Sequence, residues 1–124
     1  MDGFSGASET QIVILSALAA TVPHLTWYLE HLPNRAGKDA IDIFGKSDGI
    51  RVVIELDKHR ADQGREELCI KVGMFKTKPI YYISLCYPGT KRMNLSECVK
   101  YFGYCADLSK RMGNWYAGFI IQKA

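Results

Sequence analysis

The tightest constraint on this chain is a change of hydrophobic period near residue 40. From there Ile41 and Ile43 alternate with Asp42 and Phe44, and Val52, Ile54 and Leu56 alternate with Arg51, Val53, Glu55 and Asp57. A period of two predicts strands. Between the two runs Gly45-Lys46-Ser47-Asp48-Gly49 is rich in turn formers, so the strands are expected to close a tight hairpin. A bend about Ser47 and Asp48 pairs Lys46 with Gly49 and Asp42 with Val53, and sets Ala40 beside Glu55. Because opposite residues in a ladder share a face, Asp42, Glu55 and Asp57 are expected together, facing a cleft. Ile41, Ile43, Val52, Ile54 and Leu56 would pack on the other side.

Elements on either side follow from capping and helical spacing. Ser8 with Gln11 forms a capping box, and Ile12, Leu15, Ala19 and Val22 recur as one face of a first helix. Pro23 can open a further helical segment, Thr26 to His31, before the breakers Pro33, Asn34 and Gly37. Arg60 to Phe75 reads as a weak helix with Leu68, Val72 and Phe75 on one face, since Gly64 and Gly73 each cost about 1 kcal/mol relative to alanine. Ile80 to Tyr87 follows Pro79 and is nearly all apolar, as expected of a central strand covered on both sides, and Pro88-Gly89 stops it. Asn94 and Glu97 cap a helix carrying Leu95, Cys98, Val99, Phe102 and Ala106, which Lys110, Arg111 and Gly113 end. Trp115 to Ile121 is the last strand. The sum is one α/β domain over residues 1–124, a three-layer sandwich with a small mixed sheet and helices on its faces.

Composition excludes little beyond disorder. Hydrophobic residues are 48% and charged residues 23% of the chain, the balance of a packed core. A net charge of +3 permits a nucleic-acid partner without requiring one. Cys69, Cys86, Cys98 and Cys105 contain no CxxC pair and fall in expected helices or strands, so they read as buried thiols, with a zinc site or disulfide as lesser alternatives. His24, His31 and His59 share no ligand spacing with them. The apolar stretch Ile12 to Val22 is broken by Ser16, followed by Pro23 and preceded by no basic segment, so neither targeting nor membrane insertion is expected. A cytoplasmic location in a prokaryote or its virus is the default expectation. Trp27, Tyr28 and Trp115 read as core or interface aromatics in preference to base-stacking platforms.

Three carboxylates on one face are costly unless a cation sits among them. Mg²⁺ or Mn²⁺ would be held by one or two such groups, with substrate phosphate and water completing the shell, and could activate a water toward a phosphodiester. The plain alternative is a solvated strand face.

At Ile41-Asp42-Ile43 and Ile54-Glu55-Leu56-Asp57 the chain resembles the PD-(D/E)XK nuclease superfamily, which includes type II restriction endonucleases and archaeal Holliday junction resolvases. The resemblance covers most of the chain. That family has a restriction endonuclease-like core, α-β-β-β-α-β, with an acid on the second strand and (D/E)-x-K on the third, and an additional helix after the third strand has counterparts in it. The resemblance implies Asp42 and Glu55 as metal ligands, and Glu9 on the first helix as an assisting one. Glu9 also reads simply as a first-turn acid favoured by the helix dipole. The sequence departs from the family where lysine is expected: Asp57 stands there and Lys58 follows. Some restriction enzymes use an acid at this position, which would make Asp57 a ligand or water-orienting group. Alternatively an early strand end would let Lys58 swing toward the attacking water. Gln63 could reach the same cleft, and Lys58, His59 and Arg60 read either as phosphate contacts or as a polar strand exit.

The implied activity is metal-dependent DNA endonuclease, on duplex or branched DNA. Short connections leave little room for base-reading loops, so structure-directed or nonspecific cutting by a homodimer is expected. A second reading is an inactive nuclease-fold module that binds nucleic acid or serves assembly, and a third is a protein-interaction subunit.

Overall fold

The computed structural model describes residues 8–31, 41–58, 79–87 and 95–121, with the backbone alone at His31, Asp57, Lys58 and Tyr87. Helix α1 (Glu9–Thr21) starts at the expected box: Gln11 N–H donates to Ser8 Oγ (3.2 Å) and Ser8 N–H to Gln11 Oε1 (2.6 Å). Two backbone donors gain partners this way.

The next segment corrects the sequence reading. Thr26–His31 is a strand, β1, where a helix was expected. Its β-branched and aromatic residues suit a pleated surface, and β2 (Ile41–Ser47) supplies a ladder that an isolated helix of under two turns lacks. Tyr28 lies against Phe44 with ring centroids 6.2 Å apart.

β2 turns through Asp48-Gly49 into β3 (Ile50–Lys58), and here too the expectation shifts. Ser47 pairs with Ile50, Lys46 with Arg51 and Phe44 with Val53. The loop thus closes one residue later than expected, because Gly49 accepts the left-handed backbone the turn needs (φ 74°). Arg51 Nη1 latches the turn by donating to Ser47 O (2.8 Å) and Ile50 O (2.9 Å). A slip of two residues leaves the faces unchanged. It does change neighbours: Asp42 comes level with Glu55, one step past the Ile43–Ile54 pair, and no longer with Val53.

β4 (Ile80–Tyr87) runs parallel to β3, and α2 (Leu95–Arg111) leads to β5 (Trp115–Ile120), parallel to β4. The sheet order is β1-β2-β3-β4-β5, mixed, with one strand more than the sequence predicts. Past α2, Gly113 is left-handed (φ 77°) and Asn114 N–H returns to Ser109 O (2.9 Å), a glycine-ended helix stop. Asn114 Oδ1 then accepts from Ile80 N–H (2.8 Å), joining the starts of β4 and β5.

A helix covers each face. Ile14 and Leu18 of α1, with Val22 just past its end, pack with Ile43, Val52 and Ile54. Cys105, Leu108 and Met112, from α2 and its end, pack with Phe44, Val53, Ile80 and Tyr82. β4 is interior to the sheet but not covered on both sides as expected: Ile80, Tyr82, Ser84 and Cys86 are buried, whereas Tyr81 is exposed and Ile83 and Leu85 are half-buried. Cys86, Cys98 and Cys105 are buried free thiols, as expected. No described helix is long and apolar enough to cross a membrane. The breakers Pro33, Asn34 and Gly37, the expected helix Arg60 to Phe75 with Gln63 and Cys69, His59, Pro88-Gly89 and the cap Asn94 lie outside the described residues.

Candidate functional site

The register sets a row of residues across the sheet on the α2 side. One level holds Tyr28, Phe44, Val53, Tyr82 and Tyr116, paired strand to strand. The next level toward the C-terminal end of β3 is polar: Asp42 beside Glu55, Glu55 paired with Ser84, Ser84 paired with Gly118. Adjacent strands lie about 4.8 Å apart, so Asp42, Glu55 and Ser84 are consecutive neighbours. The apolar level gives α2 a surface to bury, and the polar level lies beside it.

That arrangement corrects the picture of an acidic face open to a cleft. Glu55 is only 2% exposed, on a face that also carries Phe44, Val53 and Tyr82. Asp42 is half-buried, and its Oδ2 accepts a 2.8 Å hydrogen bond from Leu56 N–H. This carboxylate fills the place of a ladder carbonyl where the β2–β3 pairing stops, past Ile43–Ile54. Alternation breaks there as well. Ile43 packs on the α1 side, yet Ile41 packs with Phe44 and Val53, so the two isoleucines do not share a face as expected.

Across from Asp42, bracketed by the pairs Leu29–Ile43 and His31–Ile41, stands Glu30 with a left-handed backbone (φ 48°). Such a conformation in a residue bearing a Cβ costs about 1–3 kcal/mol and needs support from its surroundings. The support is Gln11, which is 5% exposed. Gln11 Nε2 donates to Glu30 Oε1 (2.8 Å) and to Asp42 O (3.4 Å), while its Oε1 accepts from Ser8 N–H. Every polar atom of that amide is used, so α1, β1 and β2 are tied together at the level of the acids.

Asp42 and Glu55 therefore stand level on adjacent strands. Glu9 is exposed in the first turn of α1, and residues two apart on a helix do not face each other; it is Gln11 that reaches the Glu30 carboxylate and the main-chain carbonyl of Asp42. Asp57 follows Glu55 by two positions in β3, paired with Cys86, and its side chain lies outside the described residues. The early strand end that would free Lys58 does not occur, because pairing with β4 holds β3 through Lys58–Tyr87. Sequence reasoning missed Glu30 and Gln11 as site residues. A helical reading of Thr26 to His31 hid the first, and Gln11's capping role masked its second task.

Among the described residues no group of three or more His, Cys, Asp or Glu side chains is placed to hold a metal ion. The described donors are the carboxylates of Asp42 and Glu55. Two hard oxygen donors suit Mg²⁺ or Mn²⁺, which ordinarily use one or two carboxylates and keep several waters. Away from this row, Tyr81 and Trp115 stack on the opposite face, with centroids 6.4 Å apart and planes 7° apart, and both are exposed. Of the core or interface roles expected for Trp115, its exposure removes the core one. Compared with protein-family models and with curated protein sequences, the chain matches none.

Proposed function

We propose that this protein is a metal-dependent DNA endonuclease of the restriction endonuclease-like type, with Asp42 and Glu55 as the residues that hold Mg²⁺ or Mn²⁺. The supporting observation is the register of β2 and β3, which sets two carboxylates level on adjacent strands beside a buried hydroxyl. The identity of the strands adds to it: with β1 present, Asp42 lies on the second strand and Glu55 on the third, the positions the family resemblance requires. The fold departs from that core by having five strands.

When bound, the cation supplies charge neutralisation at the phosphate and a more acidic water. The chain's own residues do the positioning. Leu56 N–H fixes one oxygen of Asp42, Gln11 fixes the Asp42 carbonyl and Glu30, and burial keeps bulk water from Glu55. Asp57 takes the role of the missing lysine, orienting water or adding a ligand. DNA is the substrate, cut without strict sequence recognition, and two-strand cutting is carried out by a homodimer.

Incubation of the purified chain with plasmid, linear and branched DNA plus Mg²⁺ tests this. Cleavage abolished in Glu55→Gln and Asp42→Asn supports it; no cleavage on any substrate, or cleavage unchanged in both variants, refutes it. Light scattering measures the dimer. The exposed Tyr81–Trp115 pair favours a second reading, a module that binds single-stranded nucleic acid by stacking, each base contributing about 1–3 kcal/mol. Salt-sensitive binding lost in Trp115→Ala, without cleavage, is its signature.

A further inference from the structure

We infer that Ser84 belongs to the cation site, its hydroxyl hydrogen-bonding a water of the ion held by Asp42 and Glu55. The inference rests on the reading above and adds to it a residue that neither the carboxylate pattern nor the family resemblance points to.

Ser84 is 1% exposed, and its Oγ has no hydrogen-bond partner. Buried hydroxyls are nearly always bonded, and an orphan of this kind calls for an explanation such as a bound ion or water. Its surroundings narrow the choice. On β5 the paired residue is Gly118, and the Phe102 ring lies where a side chain there would stand, 2.4 Å from an added Cβ. That side is closed by an aromatic ring. Along β4 the same-face neighbours are Tyr82 and Cys86, and Cys86 Sγ is already 3.2 Å from Cys98 Sγ. On β3 the paired residue is Glu55, with Asp42 beyond it. The hydroxyl therefore stands at the end of a row whose other polar members, Glu55, Asp42 and, beyond it, Glu30, are all carboxylates. A hydroxyl next to carboxylates can donate to one directly; here it does not, leaving both its proton and its lone pairs for a third party. A hydrated divalent cation presents water that can both donate to Oγ and accept from it.

The test is Mn²⁺ binding by the full chain, read from the paramagnetic resonance signal of free Mn²⁺, together with thermal melting in chelator. Wild type is expected to bind and Glu55→Gln to lose binding. In Ser84→Ala the Mn²⁺ dissociation constant is expected to rise about five- to tenfold, the worth of one ordinary hydrogen bond between a hydroxyl and a water. Its melting temperature in chelator is expected to stay level or rise, since an unsatisfied buried hydroxyl has been removed. Ser84→Thr, which keeps the hydroxyl, should bind more tightly than Ser84→Ala. Ser84→Gly serves for the comparison if the alanine variant does not fold. Equal Mn²⁺ affinity in wild type and Ser84→Ala, with Glu55→Gln weakened, overturns the role of Ser84 and leaves the cation site standing. Absence of Mn²⁺ binding in wild type overturns both.

Discussion

Oδ2 of Asp42 accepts a 2.8 Å hydrogen bond from the backbone N–H of Leu56, so the residue proposed to hold a cation is also a structural part of the β2–β3 ladder. A charge-assisted bond of this kind contributes about 1.5–3 kcal/mol. Asp42→Ala is expected to lose about that much in urea unfolding, whereas Asp42→Asn, which keeps an acceptor, loses less than half of it. Loss of activity in the alanine variant alone would thus confound chemistry with folding, and the asparagine variant separates them.

Glu30 offers a reversal of ordinary preferences. With φ at 48°, Glu30→Gly relieves backbone strain while losing the Gln11 bond, and Glu30→Ala loses the bond and keeps the strain. Glycine is expected to be more stable than alanine here by about 1 kcal/mol, although strands ordinarily disfavour it. Equal stability, or alanine ahead, in denaturant titrations would contradict the left-handed geometry.

Gly118 and Gly45 each admit an aromatic ring. A Cβ at Gly118 would stand 2.4 Å from Phe102 Cγ, and one at Gly45 would stand 2.5 Å from Trp27 Cζ3. Gly118→Ala is expected to cost about 1–3 kcal/mol through overpacking. The double variant Gly118→Ala/Phe102→Leu should recover part of that loss in a double-mutant cycle.

Three thiols are shielded: Cys86 and Cys98 are 0% exposed and Cys105 is 1% exposed. In a Cys69→Ser background the native protein is expected to show no fast reaction with an aromatic disulfide reagent, and three thiols should react once denaturant is added. Fast labelling of any of the three in the native state would contradict the packing of α2 on β4.

Lys100 lies 3.1 Å from Glu97 on the surface of α2, and the hydrogen bond it donates to Glu97, followed by that carboxylate's charge, raises the Lys100 pKa above the ordinary 10.5. A raised value favours the protonated form in the fold, so the pairing is present below pH 10.5 and fades as pH climbs through the folded value. Lys100 is exposed, so the check is a titration of its side-chain resonance, which Glu97→Gln should return toward the ordinary value.

Local chemistry accounts for the parts of this protein that were legible before any coordinates. The Ser8–Gln11 box, the Gly113 helix stop, and the alternation of Val52 to Leu56 each depend on residues within a few positions of one another, and each appears in the fold. The pairing of Asp42 with the Glu55 level was half legible: side-chain parity put both on one face, while the register depended on whether the bend fell at Ser47-Asp48 or at Asp48-Gly49.

What remained hidden depended on partners distant in sequence. Thr26 to His31 has residues that tolerate either helix or strand, and only the ladder offered by β2 resolves it. Burial of the face that carries Phe44, Val53 and Tyr82 required knowing that α2, some forty residues past β3 in the chain, would pack on it. Ser84 reads as one small residue in an apolar strand until parallel pairing sets it against Glu55. Short-range periodicity and capping are written in neighbouring side chains, whereas the environment of a polar group is created by whichever strand and helix arrive beside it.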